Sequence, residues 1–127
     1  MQKTIFVVDD NDANLTAVRQ SLGDNYRIFT ATSAAKMFEL LSKVIPDMIL
    51  LDLEMPEMKG DAAIVKLKEN PEWAKVPVMF LTGWNDEVVI AHCLGLGAVD
   101  MISKPFSPLL LLRRIDNYLN TASEKGS

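Results

Sequence analysis

Met48-Ile49-Leu50-Leu51, closed by Asp52, is the stretch on which the fold turns. Four consecutive apolar residues leave no polar side to face water, so a strand here is buried on both faces, as in a parallel sheet sandwiched between helices. Asp52 then stands at the carboxyl end of that strand. Working outward, Thr4 to Val8, Arg27 to Ala31 and Val78 to Leu81 have the same apolar, partly β-branched character with polar or turn-forming flanks, and Ala98 to Ile102 is a weaker fifth. Helical spacing separates them. Leu15, Val18 and Leu22 mark a first helix, and Ala34, Met37, Phe38, Leu41 and Val44 a second. Ile64 and Leu67 follow an expected N-cap at Asp61, and Val88 to Leu94 follow one at Asp86 and end at Gly95, where a left-handed C-cap costs little. Leu111, Leu112, Ile115 and Leu119 define the last helix, capped by Ser107 with Pro108 at its first position. Strands alternating with helices, joined by right-handed crossovers, make an α/β three-layer (βα)5 sandwich around a doubly wound, five-stranded parallel sheet.

The chain has 127 residues, enough for one domain at roughly 100 to 200 residues each. We expect that domain over residues 1–121, with residues 122–127 a polar tail or the start of a linker. A net charge of −4 supplies no basic surplus for a phosphate backbone, which argues against a direct nucleic-acid partner. The longest apolar runs are four residues, against the ~18 needed to span a bilayer, and the N-terminus carries no signal-peptide pattern. Cys93 has no second cysteine to pair with and reads as a small buried thiol. These features predict a cytoplasmic domain without membrane contact.

Polar residues of a particular kind sit where strands end: Asp9 and Asp10 after the first, Asp52 after the third, Thr82 after the fourth, and Lys104 just beyond the fifth. In an open parallel sheet those ends converge on one crevice. Three carboxylates brought together repel one another, so the arrangement calls for a cation, and all-oxygen ligands suit a hard ion: Mg²⁺, or Mn²⁺ in its place. A metal, an ammonium and a hydroxyl donor together match the oxygens of a transferring phosphoryl group, which leaves Asp52 as the nucleophile. Taken singly, each residue has a simpler role. The run Asp9-Asp10-Asn11-Asp12 could serve only to favour a helix N-terminus, and Asp52 to cap a loop; five such residues at strand ends outweigh those readings.

In order and spacing, these motifs resemble a response-regulator receiver domain of two-component, phosphorelay signalling, over roughly Lys3 to Leu119. They are Val7-Val8-Asp9-Asp10-Asn11, Leu50-Leu51-Asp52-Leu53-Glu54-Met55-Pro56, Gly60, Phe80-Leu81-Thr82-Gly83, Gly97-Ala98 and Ser103-Lys104-Pro105-Phe106. The resemblance implies a flavodoxin-like strand order 2-1-3-4-5. It implies that Asp52 accepts a phosphoryl group from a histidine kinase or histidine phosphotransfer protein. It also implies Mg²⁺ ligation by Asp10, Asp52 and the backbone carbonyl of Glu54, with Asp9 acting through water. Lys104 and Thr82 are implied as partners of the phosphoryl oxygens, with Pro105 after a cis peptide. Such a domain catalyses only its own phosphorylation and dephosphorylation and turns over no external metabolite.

Two departures bear on signalling. Met101 stands where many receivers have a Tyr or Phe on strand five, and the positions bordering the hydrolytic water are the large Glu54 and Trp84. Leu109 to Leu112 sweep about 300° of the last helix, so Leu109 and Leu110 point outward. With Val88, Val89, Ile90 and Trp84 they should make the face of helix four, strand five and helix five apolar, fit for an output domain or a homodimer partner. His92 has no second ligand and reads as a solvated or half-buried helix residue, and Trp73 is expected to pack over the sheet edge. Among other classes, a Mg²⁺-dependent aspartyl-phosphate phosphatase or phosphotransferase would need a second acidic residue in a loop running into Gly-Thr. A flavodoxin-like cofactor binder would need a Gly- or Ser/Thr-rich phosphate loop after strand one. Here the loop after Asp52 runs Leu53-Glu54-Met55-Pro56 without Gly-Thr, and strand one is followed by Asp9-Asp10-Asn11-Asp12 rather than a phosphate loop.

Overall fold

The computed structural model describes residues 2–83 and 86–126, with side chains as far as Asn120. Strands and helices alternate as β1 (Thr4–Val8), α1 (Asp12–Leu22), β2 (Arg27–Ala31), α2 (Ala34–Leu41), β3 (Met48–Asp52), α3 (Gly60–Glu69), β4 (Val78–Thr82), α4 (Glu87–Gly95), β5 (Asp100–Ser103) and α5 (Pro108–Gly126). All strand pairs are parallel and the sheet order is β2-β1-β3-β4-β5. The register sets Ile5 against Ile28 and Met48, Ile49 against Val78, and Met79 against Asp100.

The two-residue period of a strand sorts the core into two layers. Phe6, Val8, Ile49, Leu51, Val78 and Phe80 pack under α2, α3 and α4. Their neighbours Ile5, Val7, Met48, Leu50, Met79 and Leu81 pack under α1 and α5. β1, β3 and β4 are buried along their whole length because both layers cover them, while the edge strand β2 is half-open.

Two of the three expected helix caps hold: Asp86 Oδ1 accepts the Val89 N–H at 2.9 Å and Ser107 Oγ the Leu110 N–H at 3.3 Å. α1, for which no single cap is expected, starts behind Asn11, whose Oδ1 accepts the Asn14 N–H at 3.1 Å. Several boundaries differ: α2 ends at Leu41, short of the expected Val44, and β5 runs over Asp100–Ser103 rather than Ala98 to Ile102. α3 is capped by Lys59 without a side-chain hydrogen bond and begins at Gly60, which puts Asp61 inside its first turn. The helix starts early because the Gly60 N–H donates to the Leu53 carbonyl at 2.9 Å, in a space where a Cβ would lie 2.4 Å from the Asp52 carbonyl oxygen. The left-handed residue after α4 is Gly97 (φ 110°) rather than Gly95, since the helix runs through Gly95 and Leu96 still has right-handed backbone. α5 continues as helix to Gly126, through most of the segment expected as a tail.

Trp73 packs on Phe38 of α2, with ring centroids 5.5 Å apart. Cys93 is buried, and burial pushes its thiol pKa up, which keeps it protonated. His92 is exposed, its Nε2 3.4 Å from Asp61 Oδ2. Among the described residues no helix is long and apolar enough to cross a membrane.

Candidate functional site

The sheet delivers its polar strand ends to one place. Asp9 follows β1, Asp52 closes β3 and Thr82 closes β4, and these three are 0%, 3% and 1% exposed, whereas Asp10 faces solvent. One carboxylate oxygen from each of Asp9, Asp10 and Asp52 lies within 4.8 Å of the others. Lys104 enters from beyond β5. Its backbone N–H donates to the Thr82 carbonyl at 2.8 Å, which extends the β4–β5 ladder, and the Lys104–Pro105 peptide is cis. Its Nζ sits 2.8 Å from Asp9 Oδ2 and 3.0 Å from Asp52 Oδ1. Asp9, Asp10, Asp52, Thr82 and Lys104, expected together from the sequence, therefore meet at the carboxyl edge of the sheet.

The β3–α3 loop shapes the fourth side. Glu54 turns its backbone N–H to Asp52 Oδ1 at 3.2 Å, while its carboxylate points out to Lys59 Nζ, 3.9 Å away. Glu57 takes a left-handed backbone (φ 69°), uncommon for a residue with a Cβ, and the Met58 N–H reaches back to the Pro56 carbonyl at 2.8 Å. With Gly60 pinned under Leu53, the loop has little freedom to carry Asp52 away from its neighbours. Trp84, the other position expected to border the site, lies outside the described residues.

Charge in this crevice is only partly balanced. Burial pushes the Asp52 pKa from 3.8 up to about 6; the hydrogen bond from Lys104 opposes the rise and the neighbouring Asp9 charge adds to it. Burial alone would lower the Lys104 pKa, but the two carboxylates it touches outweigh that and raise it, so it stays an ammonium. One ammonium among three carboxylates leaves a surplus of negative charge. The oxygen-only donor set, and the proximity of one oxygen from each acid, fit a hard divalent cation.

One residue escaped the sequence reading. Asn14, in the first turn of α1, donates from Nδ2 to Asp9 Oδ2 at 3.0 Å. Its only signal was an amide side chain one helical turn from the acidic pair, too common a pattern near a helix start to single out.

The family model described as Response regulator receiver domain matches residues 5–116. The chain is 39% identical over 124 residues to a Vibrio cholerae serotype O1 protein named "Probable cyclic di-GMP phosphodiesterase", covering 98% of this chain and 28% of that protein. It is 33% identical over 119 residues to the sensor histidine kinase TmoS of Ectopseudomonas mendocina, covering 94% of this chain and 12% of the kinase. The chain thus spans less than a third of the length of these curated relatives. Among solved structures, the BeF3-activated receiver domain of DrrB, a Thermotoga maritima protein, superposes with a TM-score of 0.84 at 28% identity, covering 94% of this chain and 99% of that one. A parallel sheet in the order 2-1-3-4-5, an acidic crevice with a lysine at its carboxyl edge and a family match along nearly the whole chain agree: the chain belongs to the response regulator receiver domains of two-component signalling.

Proposed function

We propose that, in a cytoplasmic domain, Asp52 is the phosphoacceptor of a phosphorelay, taking a phosphoryl group from the phosphohistidine of a histidine kinase or phosphotransfer protein. The observation that carries this reading is the shared hold of Lys104 on Asp9 and Asp52, at 2.8 and 3.0 Å, beside the exposed Asp10. A buried carboxylate with an ammonium on one oxygen can attack phosphorus through the other. The N–P bond of the donor breaks as an O–P bond to Asp52 forms, and the imidazole nitrogen leaves with its electron pair. Lys104 follows the new charge onto a phosphoryl oxygen, and the Thr82 hydroxyl donates to another. Asp9, Asp10, Asp52 and the Glu54 carbonyl would hold Mg²⁺, which when bound offsets the charge of the carboxylates and of the incoming oxygens.

We assign the output to the surface of α4, β5 and α5, where Val88 is 79% exposed, Leu109 68%, Leu110 47% and Leu94 45%. Its partner would be an output domain or a second copy of the chain. Met101, on β5, is half-buried beneath this surface and can repack without an aromatic ring. The test is incubation with acetyl phosphate and Mg²⁺ followed by intact-mass spectrometry and peptide mapping: one phosphoryl group on Asp52 is expected. Equal labelling of Asp52→Asn at the same site-facing peptide would overturn the assignment.

A further inference from the structure

Asp9 is wholly buried, and among the described residues three donors reach it: the Asn11 N–H on Oδ1 at 2.9 Å, and Asn14 Nδ2 and Lys104 Nζ on Oδ2 at 3.0 and 2.8 Å. Asn14 and Lys104 therefore share a single oxygen. They differ in what else is asked of them. Lys104 also holds Asp52 and, in the proposed transfer, has to turn toward a phosphoryl oxygen there. Each step it takes in that direction weakens its bond to a buried carboxylate, and a buried charge that loses a donor is strongly destabilised. Asn14 has no second task. Its backbone is fixed by the N-cap, with its N–H 3.1 Å from Asn11 Oδ1, and its amide nitrogen can only donate toward a carboxylate.

We propose that Asn14 is a positioning residue for phosphoryl acceptance: it keeps Asp9 Oδ2 hydrogen-bonded while Lys104 is drawn to the phosphoryl group on Asp52. This rests on the reading of Asp52 as acceptor and adds the device that frees the lysine. Without the amide, Asp9 would bind Lys104 as its main partner and hold it back, so the loss would fall on the transfer step rather than on binding of the donor or the metal. The neutral amide suits the role. It satisfies the oxygen without adding a cation that would compete with Lys104 or repel Mg²⁺.

The experiment measures phosphoryl incorporation from acetyl phosphate into wild type, Asn14→Leu and Asn14→Gln, as a function of donor and of Mg²⁺, with thermal melting of each protein. Asn14→Leu has similar bulk and no donor; its limiting rate should fall about tenfold with the half-saturating Mg²⁺ and donor concentrations little changed. Asn14→Gln, which keeps the amide, should recover part of the rate. If Asn14→Leu fails to fold, Asn14→Ala, which also lacks a donor, at this half-buried helix position carries the same expectation. A folded variant that labels at the wild-type limiting rate would overturn the proposal, and so would a loss confined to weaker Mg²⁺ saturation. Absence of labelling in wild type would remove the acceptor reading itself, a result distinct from either.

Discussion

The crevice at the carboxyl end of the sheet and the surface over α4 and α5 are built by opposite rules. In the crevice the buried carboxylates are held by specific donors, Asp9 by Asn11, Asn14 and Lys104, and Asp52 Oδ1 by Lys104 and the Glu54 N–H, with a surplus of negative charge left over. On the surface apolar side chains go uncovered, and among the described residues of α4 only Cys93 is buried. A buried cluster that already carries surplus negative charge is sensitive to one more, because little water is there to screen it. A thinly buried helix gives up few contacts when it shifts. Under the proposed function, charge added at Asp52 would unsettle the crevice and the loosely held face would be free to respond.

Several changes would break or sharpen this contrast. The largest effect is expected for Asp52→Asn, which should remove phosphoryl incorporation altogether, while surface substitutions on α4 and α5 leave the initial labelling rate near wild type; intact mass against time measures both. Next comes Gly60→Ala. The new Cβ would fall 2.4 Å from the Asp52 carbonyl oxygen and 2.9 Å from Leu53 Cα, both backbone atoms that cannot step aside. A loss of about 2 to 3 kcal/mol is expected by chemical denaturation, with slower labelling because the same contact displaces Asp52.

The pH dependence probes the unbalanced charge in the crevice. With its folded pKa raised from 3.8 to about 6, Asp52 binds a proton in the folded state that it releases when unfolded. That contribution to stability is fully present below the unfolded value and is lost as pH rises through about 6. Metal-free Asp52→Asn should therefore outlast wild type above that pH by on the order of 1 kcal/mol, with the two converging as pH falls. Mg²⁺ should stabilise wild type more than the variant and so narrow or reverse the gap. Melting curves over a pH series, with and without Mg²⁺, decide it. An Asp52→Asn protein that is less stable at high pH would mean that Lys104 more than offsets the cost of burying the charge.

The smallest effect belongs to the apolar surface. Leu109→Ser with Leu110→Ser should change stability by less than about 0.5 kcal/mol per site, since both side chains already face water. Association of the phosphorylated chain with itself or with an output partner should weaken in the same variant, read by analytical ultracentrifugation. A large drop in melting temperature would instead make these leucines part of the fold.

Local pattern was enough for much of this molecule. Runs such as Met48 to Leu51 can only be doubly covered strands, and residues directly behind them can only stand at the sheet's carboxyl edge, so Asp9, Asp10, Asp52, Thr82 and Lys104 were legible as a group. Caps at Asn11, Asp86 and Ser107 involve atoms within three residues of each other, and of these Asp86 and Ser107 could be read from the chain alone. Tertiary structure decided what depends on meetings between distant segments. Asp61 looks like the cap of α3, but the fit of Gly60 beneath Leu53 and Phe80 starts the helix sooner. Gly95 and Gly97 are equally permissive as residues, and only the path from α4 into β5 assigned the left-handed turn to the second. The same holds for the hydrogen bonds of the site. Lys104 lies 95 residues from Asp9 and 52 from Asp52, and which carboxylate oxygen it shares with Asn14 is settled by how the ends of β1 and β3 and the first turn of α1 converge around it. Periodicity and capping are short-range properties that a sequence carries on its face, whereas the sharing of one oxygen between two donors exists only after the sheet has brought them together.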